Sequence, residues 1–318
     1  MDLIEATHLT KRLSGRLAVD DVSFQLQHGS QMGLIGETGS GKSTLLKMIA
    51  GLLTVDKGGV TIDGERVLGP DEKLLPGHPS IGYLSQFFEL RNHYRVEEEL
   101  DYSNLMDEGE ALELFTLCKI DHLLPRWTSE VSGGERQRIV LAKKLIARPS
   151  LLLLDEPFSN LDLIHKNILK KVLLEVKNKL DLTIVIASHD PQDILSWADH
   201  VLVMRSGSIV DQGSPFVLYH QPASIYVASL LGPINIVSEH VAMRLGLTNR
   251  FSSAEFFLRP ERIRINTVDA EGVDAGVMEI KFAGSFYLIS VLILEEVVVV
   301  STTCCEWKVG DKIKIMVR

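Results

Sequence analysis

The pattern of hydrophobic and polar positions changes character part-way along the chain. In the first part, short apolar runs alternate with segments of helical periodicity, which predicts an α/β domain. The runs Leu151–Leu154 and Thr183–Ile186 are continuous rather than alternating in their apolar residues, as expected of parallel strands covered on both faces. The pattern predicts strands over Gln31–Ile35, Ile81–Ser85, Leu151–Asp155, Thr183–Ser188 and His200–Met204. It predicts helices over Lys42–Ala50, Glu135–Ala147 and Leu161–Lys179.

After Gly232-Pro233-Ile234-Asn235 the helical periodicity fades and short strands separated by turns take over. The predicted strands are Glu255–Leu258, Arg262–Ile265, Val277–Phe282, Phe286–Leu294, Glu296–Ser301 and Lys312–Val317. Short strands at this spacing favour a small β-barrel. We therefore predict an α/β domain over residues 1–235 and a β-barrel domain over residues 236–318. Alternating patterns near the N-terminus and around Gly58–Asp63 predict an antiparallel layer at one edge of the first domain.

Composition narrows the class of protein without identifying it. A chain of 318 residues suits about two domains, and a net charge of -9 argues against a protein that binds nucleic acid independently of sequence. The first residues show no signal-peptide pattern, and no apolar run approaches the ~18 residues of a membrane span. Three cysteines, Cys118, Cys304 and Cys305, fit no metal or disulfide framework. We expect thiols in a reducing cytosol.

A glycine-rich segment follows the first predicted strand of the parallel sheet. It fits the pattern G-x-x-x-x-G-K-[ST] with the residues Gly36, Glu37, Thr38, Gly39, Ser40, Gly41, Lys42 and Ser43, and Thr44 comes next. Glycines let consecutive backbone amides point at phosphate oxygens, and the following helix adds its own unpaired N–H groups. A short glycine-rich turn could arise without function, but its place between an apolar strand and a helix predicts a nucleotide-binding loop. Lys42 would face the β- and γ-phosphates and Ser43 would bind Mg²⁺.

Polar residues follow three other predicted strands. Asp155 and Glu156 end the apolar run at Leu154, Gln86 follows Ser85, and His189 follows Ser188. Ligands of open parallel sheets bind beyond the C-terminal strand ends, so these side chains are expected to meet the phosphate-binding loop. Asp155 would support Mg²⁺, and Glu156 would act as general base toward the attacking water.

A second anion-binding helix end is predicted where Ser132, Gly133 and Gly134 precede a helix. One chain would then have two such helix ends for one nucleotide. A head-to-tail dimer resolves this, because each nucleotide would lie between the loop of one chain and the Ser-Gly-Gly turn of the other.

Together these motifs resemble the nucleotide-binding subunit of ABC transporters. The resemblance rests on six motifs in order: Gly36–Thr44 (Walker A), Gln86 (Q-loop), Val131–Glu135 (signature), Leu151–Glu156 (Walker B), Ser159–Asp162 (D-loop) and His189 (switch histidine). It implies a P-loop NTPase fold of ABC type, with a parallel sheet core, an antiparallel β layer and a helical subdomain at about 88–147. The signature here has Val131 and Glu135 where the family usually has leucine and glutamine.

The resemblance also implies roles for single residues. Ser43 and Gln86 would ligate Mg²⁺, with Asp155 in support, and His189 would contact the γ-phosphate of ATP. Lys42, Gln86, Glu156 and His189 form the expected catalytic set. The nucleotide-binding set adds Val19, Asp162 and Leu13, where Leu13 stands at the position of an adenine-stacking aromatic residue in the family.

The C-terminal part narrows the resemblance to importers. Its stretches Gly213–Pro215, Pro222–Ser224, Gly232–Asn235 and Leu258–Glu261 resemble the approach to a TOBE-like barrel of ferric iron, polyamine, sulfate, molybdate and sugar importers. The implied partners are a second copy of the chain, a transmembrane permease and, indirectly, a solute-binding protein, at the cytoplasmic face of the inner membrane. The alternatives are an exporter subunit and a soluble ABC ATPase acting on DNA or ribosomes.

Overall fold

The computed structural model describes residues 2–159, 161–247, 256–269 and 271–317. The strands are β1 (Asp2–Leu13), β2 (Arg16–Gln27), β3 (Gln31–Ile35), β4 (Lys57–Ile62), β5 (Glu65–Arg66), β6 (Ile81–Leu84), β7 (Leu151–Asp155), β8 (Thr183–Ser188), β9 (His200–Arg205), β10 (Ser208–Gly213), β11 (Asn235–Val237), β12 (Phe256–Leu258), β13 (Ile263–Asn266), β14 (Val273–Phe282), β15 (Tyr287–Ile293), β16 (Glu296–Thr302) and β17 (Lys312–Val317).

The α-helices are α1 (Lys42–Ile49), α2 (Val96–Asp101), α3 (Glu108–Leu117), α4 (Gly133–Leu145), α5 (Leu163–Leu180), α6 (Pro191–Ile194), α7 (Pro215–His220), α8 (Ile225–Leu231) and α9 (Glu239–Arg244). Short 3-10 helices cover Asp121–Leu123 and Pro260–Arg262. Among the described residues, no helix combines the length and apolar character needed to cross a membrane.

The first unit is built on the predicted parallel sheet. Its strand order is β10-β9-β3-β8-β7-β6, with β10 antiparallel to β9 and the remaining neighbours parallel. All residues of β3, β7 and β8 are buried, which agrees with the continuous apolar runs in the sequence. The register pairs Ile35 with Ser188 and Asp155 with Ala187, so β3, β7 and β8 end at one edge.

Two predicted helix starts are displaced by capping residues. Helix α4 begins at Gly133 rather than Glu135 because Ser132 is its N-cap, and α5 begins at Leu163 because Asp162 accepts the amide of His165 at 2.9 Å. The predicted antiparallel layer is observed as the sheet β2-β1-β4-β5. Helices α2, α3 and α4 lie within the segment predicted as the helical subdomain.

The second unit begins after Leu218, earlier than the boundary predicted at residue 235. Within this second unit the guanidinium of Arg259 donates to the carbonyls of Tyr219, Gly232 and Pro233. These contacts join the stretch before Asn235 to the β domain.

The small β domain contains an antiparallel sheet of order β13-β17-β14-β15-β16 and a two-stranded sheet of β11 and β12. The predicted start of β12 at Glu255 lies outside the described residues. Helix α9 was not predicted, because the strand pattern dominates this region. It is one short amphipathic segment that buries Val241 and Ala242 and is capped by the Ser238 hydroxyl, which accepts the Val241 amide at 3.4 Å.

Candidate nucleotide-binding and hydrolysis site

The glycine-rich loop runs from the end of β3 into α1, and its shape depends on glycine at two positions. Gly41 has φ +105°, and a Cβ there would lie 2.2 Å from the Ala18 carbonyl oxygen. A Cβ on Gly36 would lie 2.4 Å from the carbonyl oxygen of Met204. The Ser40 hydroxyl is buried and has no hydrogen-bond partner among the described residues. The backbone of the loop is therefore closely packed against neighbouring carbonyls, and the Ser40 hydroxyl is a buried donor without a partner among the described residues. Both features suit a phosphate-binding loop.

Lys42 places its ammonium group inside this loop. Its Nζ donates to the carbonyl oxygens of Gly36 at 2.8 Å and Glu37 at 3.0 Å and lies 3.9 Å from Glu156 Oε1. Burial lowers the pKa of Lys42, and the nearby carboxylates of Glu156 and Asp155 oppose that shift. The cation is thus held beside the carboxylates of Asp155 and Glu156 at the C-terminal end of β7.

Asp155 is buried and accepts two hydrogen bonds from different elements. Ser43 Oγ donates to its Oδ1 at 2.9 Å, and the Tyr83 hydroxyl donates to its Oδ2 at 3.1 Å. Burial, followed by the charge of Asp155, raises the pKa of Tyr83, so this phenol stays a donor. Sequence reasoning missed Tyr83, whose only signal was a polar tip within the predicted strand next to Walker B.

Glu156 and His189 form a hydrogen-bonded pair at the same edge. His189 Nδ1 lies 2.8 Å from Glu156 Oε2. The backbone of Glu156 is left-handed, with φ 53°, and is held there by its amide donating to Ala187 O at 2.9 Å and by the Ser159 hydroxyl donating to its carbonyl at 2.7 Å. A strained backbone that neighbours over-determine is typical of functional positions.

Gln86 is brought to the same sheet edge but is not hydrogen-bonded to the other site residues. The register pairs Leu84 with Leu154, so Gln86 and Glu156 each lie two residues beyond a matched pair. The strand ends at Leu84 and Gln86 is exposed. In the described structure no hydrogen bond joins it to Ser43 or Asp155.

The signature turn lies at the start of α4 and is exposed at Ser132 and Gly133. The Ser132 hydroxyl accepts from the Glu135 amide at 3.4 Å, and the Ser132 amide donates to Glu135 Oε2 at 2.8 Å. The backbone hydrogen bond from Ser132 is the main cause that lowers the pKa of Glu135. Glu135 therefore completes a capping box with Ser132. Among the described residues, no hydrogen bond or ion pair joins this turn to Lys42 of the same chain.

The remaining predicted nucleotide contacts differ in accessibility. Asp162 is exposed, and its two carboxylate oxygens bond the amide (2.9 Å) and Nδ1 (2.8 Å) of His165. Asn160 of the D-loop lies outside the described residues. Leu13 is 41% exposed at the tip of the β1–β2 hairpin. Val19 is fully buried in the hydrophobic core.

The oxygen groups near the loop fit a magnesium ion bound together with a nucleotide. No cluster of three or more histidine, cysteine or carboxylate ligands exists among the described residues, so they form no metal cage of their own. Mg²⁺ is usually bound through one or two carboxylates plus substrate phosphates. The Ser43 hydroxyl and the Asp155 carboxylate, 2.9 Å apart, meet that requirement.

A phosphate-binding loop, a buried cation and a carboxylate paired with histidine at one edge of a parallel sheet define an ATPase of the P-loop class. The sequence profile of the ABC transporter family matches residues 19–159. An Fe(3+) ions import ATP-binding protein of Pectobacterium atrosepticum is 31% identical over 301 residues, covering 89% of this chain and 87% of the relative. A sulfate/thiosulfate import ATP-binding protein of Synechococcus elongatus is 33% identical, covering 82% of this chain and 77% of the relative. The chain belongs to the ABC transporter family.

Solved structures agree on the fold. An ATP-binding cassette of an ABC transporter in its ADP conformation superimposes with a TM-score of 0.60 at 22% identity, covering 72% of this chain and 99% of its own. A part of the cbiONQ ABC transporter complex of Clostridium perfringens gives 0.61 at 24% identity, with coverages of 77% and 96%. At these identities the likeness concerns the fold alone.

Proposed function

We propose that this chain hydrolyses ATP to power solute import through a separate permease. The observation that carries the proposal is the Glu156–His189 pair at 2.8 Å, beside Lys42 in the phosphate-binding loop. The named relatives are all import ATP-binding proteins, which favours an importer over an exporter subunit or a soluble ABC ATPase. Those relatives differ in their named solute, so the solute of this chain stays open.

The chain's own residues account for each part of the hydrolysis reaction. The loop amides and Lys42 bind the β- and γ-phosphates, and Glu156 accepts the proton of the attacking water. His189 holds the Glu156 carboxylate in place and contacts the γ-phosphate. Ser43, Asp155 and Gln86 would hold Mg²⁺, which supplies positive charge for the phosphate oxygens.

A head-to-tail dimer completes the site in this proposal. The exposed Ser132–Gly134 turn and the phosphate-binding loop are two anion-binding helix ends in one chain. Each would serve a different nucleotide, with Ser132, Gly133 and Gly134 of one copy facing the ATP bound by its partner. Asp162 and Leu13 would lie near the same nucleotides, and Leu13 offers an aliphatic contact to adenine in place of stacking.

The remaining assignments concern the place of the chain in a transporter. As an import subunit it would bind peripherally to permease subunits at the cytoplasmic face of the inner membrane and act with the solute-binding protein only indirectly. The unit after Leu218, whose sequence resembles a TOBE-like domain, would be an accessory module outside the chemistry.

Phosphate release by the purified chain tests the enzymatic part. Lys42→Ala should abolish Mg²⁺-dependent hydrolysis, whereas Lys47→Ala, an exposed lysine on the same helix, should leave it unchanged. Cell fractionation tests the transport part, because an import subunit should sediment with membranes and co-purify with an integral membrane protein. Hydrolysis that survives Lys42→Ala would refute the site, and sedimentation with ribosomes would favour the soluble ABC ATPase.

A further inference from the structure

A buried carboxylate in the helical segment pairs with two cations from different elements. Glu99 on α2 has a fully buried side chain (0% exposed). Its Oε2 accepts from Arg91 Nε at 2.7 Å, and its Oε1 accepts from Lys143 Nζ. Burial alone would raise the pKa of Glu99, but the hydrogen bonds from Lys143 and Arg91 outweigh it and lower the pKa. Glu99 is therefore an ionised buried group that bridges two positive charges.

Arg91 belongs to the segment that leads from Gln86 to α2. Its guanidinium carbon lies 4.3 Å from the ring centre of Tyr94 and 4.8 Å from that of Tyr102, and such cation–π contacts restrict the side chain. The backbone of the segment is held as well. The Thr128 hydroxyl donates to the Arg91 carbonyl at 2.8 Å, and the Thr128 amide donates to the Tyr94 carbonyl at 2.9 Å.

Helix α4 is contacted near its C-terminal end by Glu99 of α2, and the chain just before its N-cap is bonded to the segment between Gln86 and α2. Thr128 lies four residues before Ser132, the N-cap of α4. Lys143 lies in the last turn of α4 and reaches Glu99 there. Because α4 is a continuous helix, the contact of Lys143 in its last turn and the contacts of Thr128 just before its N-cap both restrict the direction in which the Ser132 end points.

Stability alone does not account for this arrangement. Replacing a buried ion pair or triad with well-packed apolar residues is often neutral or stabilising. The free energy of folding therefore gives no reason to place a glutamate with two cations in this core. The interactions are directional, however, and they join the segment after Gln86 to the helix that begins with the signature turn. A directional link between two functional motifs is what a positioning role requires.

We propose that Glu99 is a positioning residue, which sets the Ser132 end of α4 relative to Gln86 by holding Arg91 and Lys143 together. The proposal rests on the proposed function, because the signature turn acts only when it contacts the nucleotide bound by a partner chain. Glu99 touches no phosphate, so its effect falls on the ATP-bound dimer. Binding of nucleotide by the loop of a single chain is independent of it.

Two single substitutions and their combination test this link. Arg91→Met and Lys143→Met each leave Glu99 with one cation, so the fold has a paired buried charge in either variant. Each should lower kcat on the order of tenfold, as expected for one coupled network, with KM and single-chain affinity for a non-hydrolysable ATP analogue unchanged. The double variant leaves Glu99 buried without a cation, so it is compared with the single variants in a Glu99→Gln background. There it should be no slower than either single variant, because each substitution cuts the same link. Arg148→Met, which breaks the exposed Arg148–Glu110 pair, is the matched control and should keep full turnover.

Additive losses in the double variant would overturn the proposal, as would wild-type kcat in both single variants accompanied only by a lower Tm. A conservative change supplies the rescue arm, since Lys143→Arg keeps the cation and should restore turnover. ATP-dependent dimerisation, measured by light scattering in the Glu156→Gln background, gives a readout that needs no hydrolysis. The two proposals fail on different results. Hydrolysis that persists in Lys42→Ala would refute the proposed function, whereas unchanged dimerisation in Arg91→Met and Lys143→Met would refute only the positioning role of Glu99.

Discussion

Replacement of Glu156 by glutamine isolates its capacity to accept a proton. The side chain is 14% exposed, 3.9 Å from Lys42 Nζ and 2.8 Å from His189 Nδ1. Glutamine has the same length, can keep the hydrogen bond to His189, and places no new demand on the backbone at φ 53°. The variant should therefore fold like the wild type while its amide cannot take the proton of the attacking water.

The expected loss is large and confined to turnover. General-base groups contribute about 10²–10⁴-fold, or about 2.7–5.4 kcal/mol of barrier at 1.36 kcal/mol per tenfold. Affinity for ATP should hold or increase, because a negative charge next to Lys42 and the phosphates has been removed. Phosphate release at saturating Mg-ATP measures kcat, and a fluorescent nucleotide titration measures affinity.

The matched control is Glu97→Gln, an exposed glutamate on α2, which should turn over ATP at the wild-type rate. A Glu156→Gln protein whose kcat falls less than about fivefold, below the general-base range, would refute the assignment of Glu156 as base. A parallel fall in Tm and in nucleotide affinity would instead indicate that the carboxylate is needed for the structure of the loop.

Three further expectations follow from the same geometry. Glu156→Gln should accumulate as an ATP-dependent dimer by light scattering, and Ser132→Arg added to it should abolish the dimer by placing a bulky cation in the turn; a dimer that persists would contradict the sandwich. Leu13→Tyr should tighten ATP binding in a titration, since base stacking on an aromatic ring contributes roughly 1–3 kcal/mol, and an unchanged affinity would show that adenine is held elsewhere. Truncation after Leu218 should yield a folded, ATP-hydrolysing protein. Truncation after Asn235 should give a lower Tm than truncation after Leu218, because the stretch between the two sites then lacks its hydrogen bonds to Arg259. Equal Tm values of the two proteins would argue against the boundary after Leu218.

Much of this site could be predicted from sequence because its parts are local. The phosphate-binding loop requires glycine at positions 36 and 41, and lysine and a helix follow directly. All of these features are encoded in consecutive residues and can be recognised in the sequence. The continuous apolar run before Asp155 marks a buried strand whatever lies beside it. Because ligands of open parallel sheets bind beyond the C-terminal ends of the strands, Asp155, Glu156 and His189 could be predicted to lie at one edge of the sheet.

The contacts that decide geometry could not be predicted in this way, since they join residues distant in sequence. Tyr83 meets Asp155 only because β6 pairs with β7 in a particular register. One buried arginine, Arg259, donates to carbonyls 26, 27 and 40 residues away, in the unit that begins after Leu218.

Sequence alone determined the chemistry available to this protein, because residue type and local spacing fix what a loop or strand end can bind. The tertiary structure alone decided which side chains are buried and which are hydrogen-bonded to one another. Glu99, unremarkable among the neighbouring glutamates Glu97 and Glu98, becomes a buried bridge once packing removes it from water and brings Arg91 and Lys143 to its two oxygens. Burial and pairing of charges depend on long-range packing, which no local pattern records.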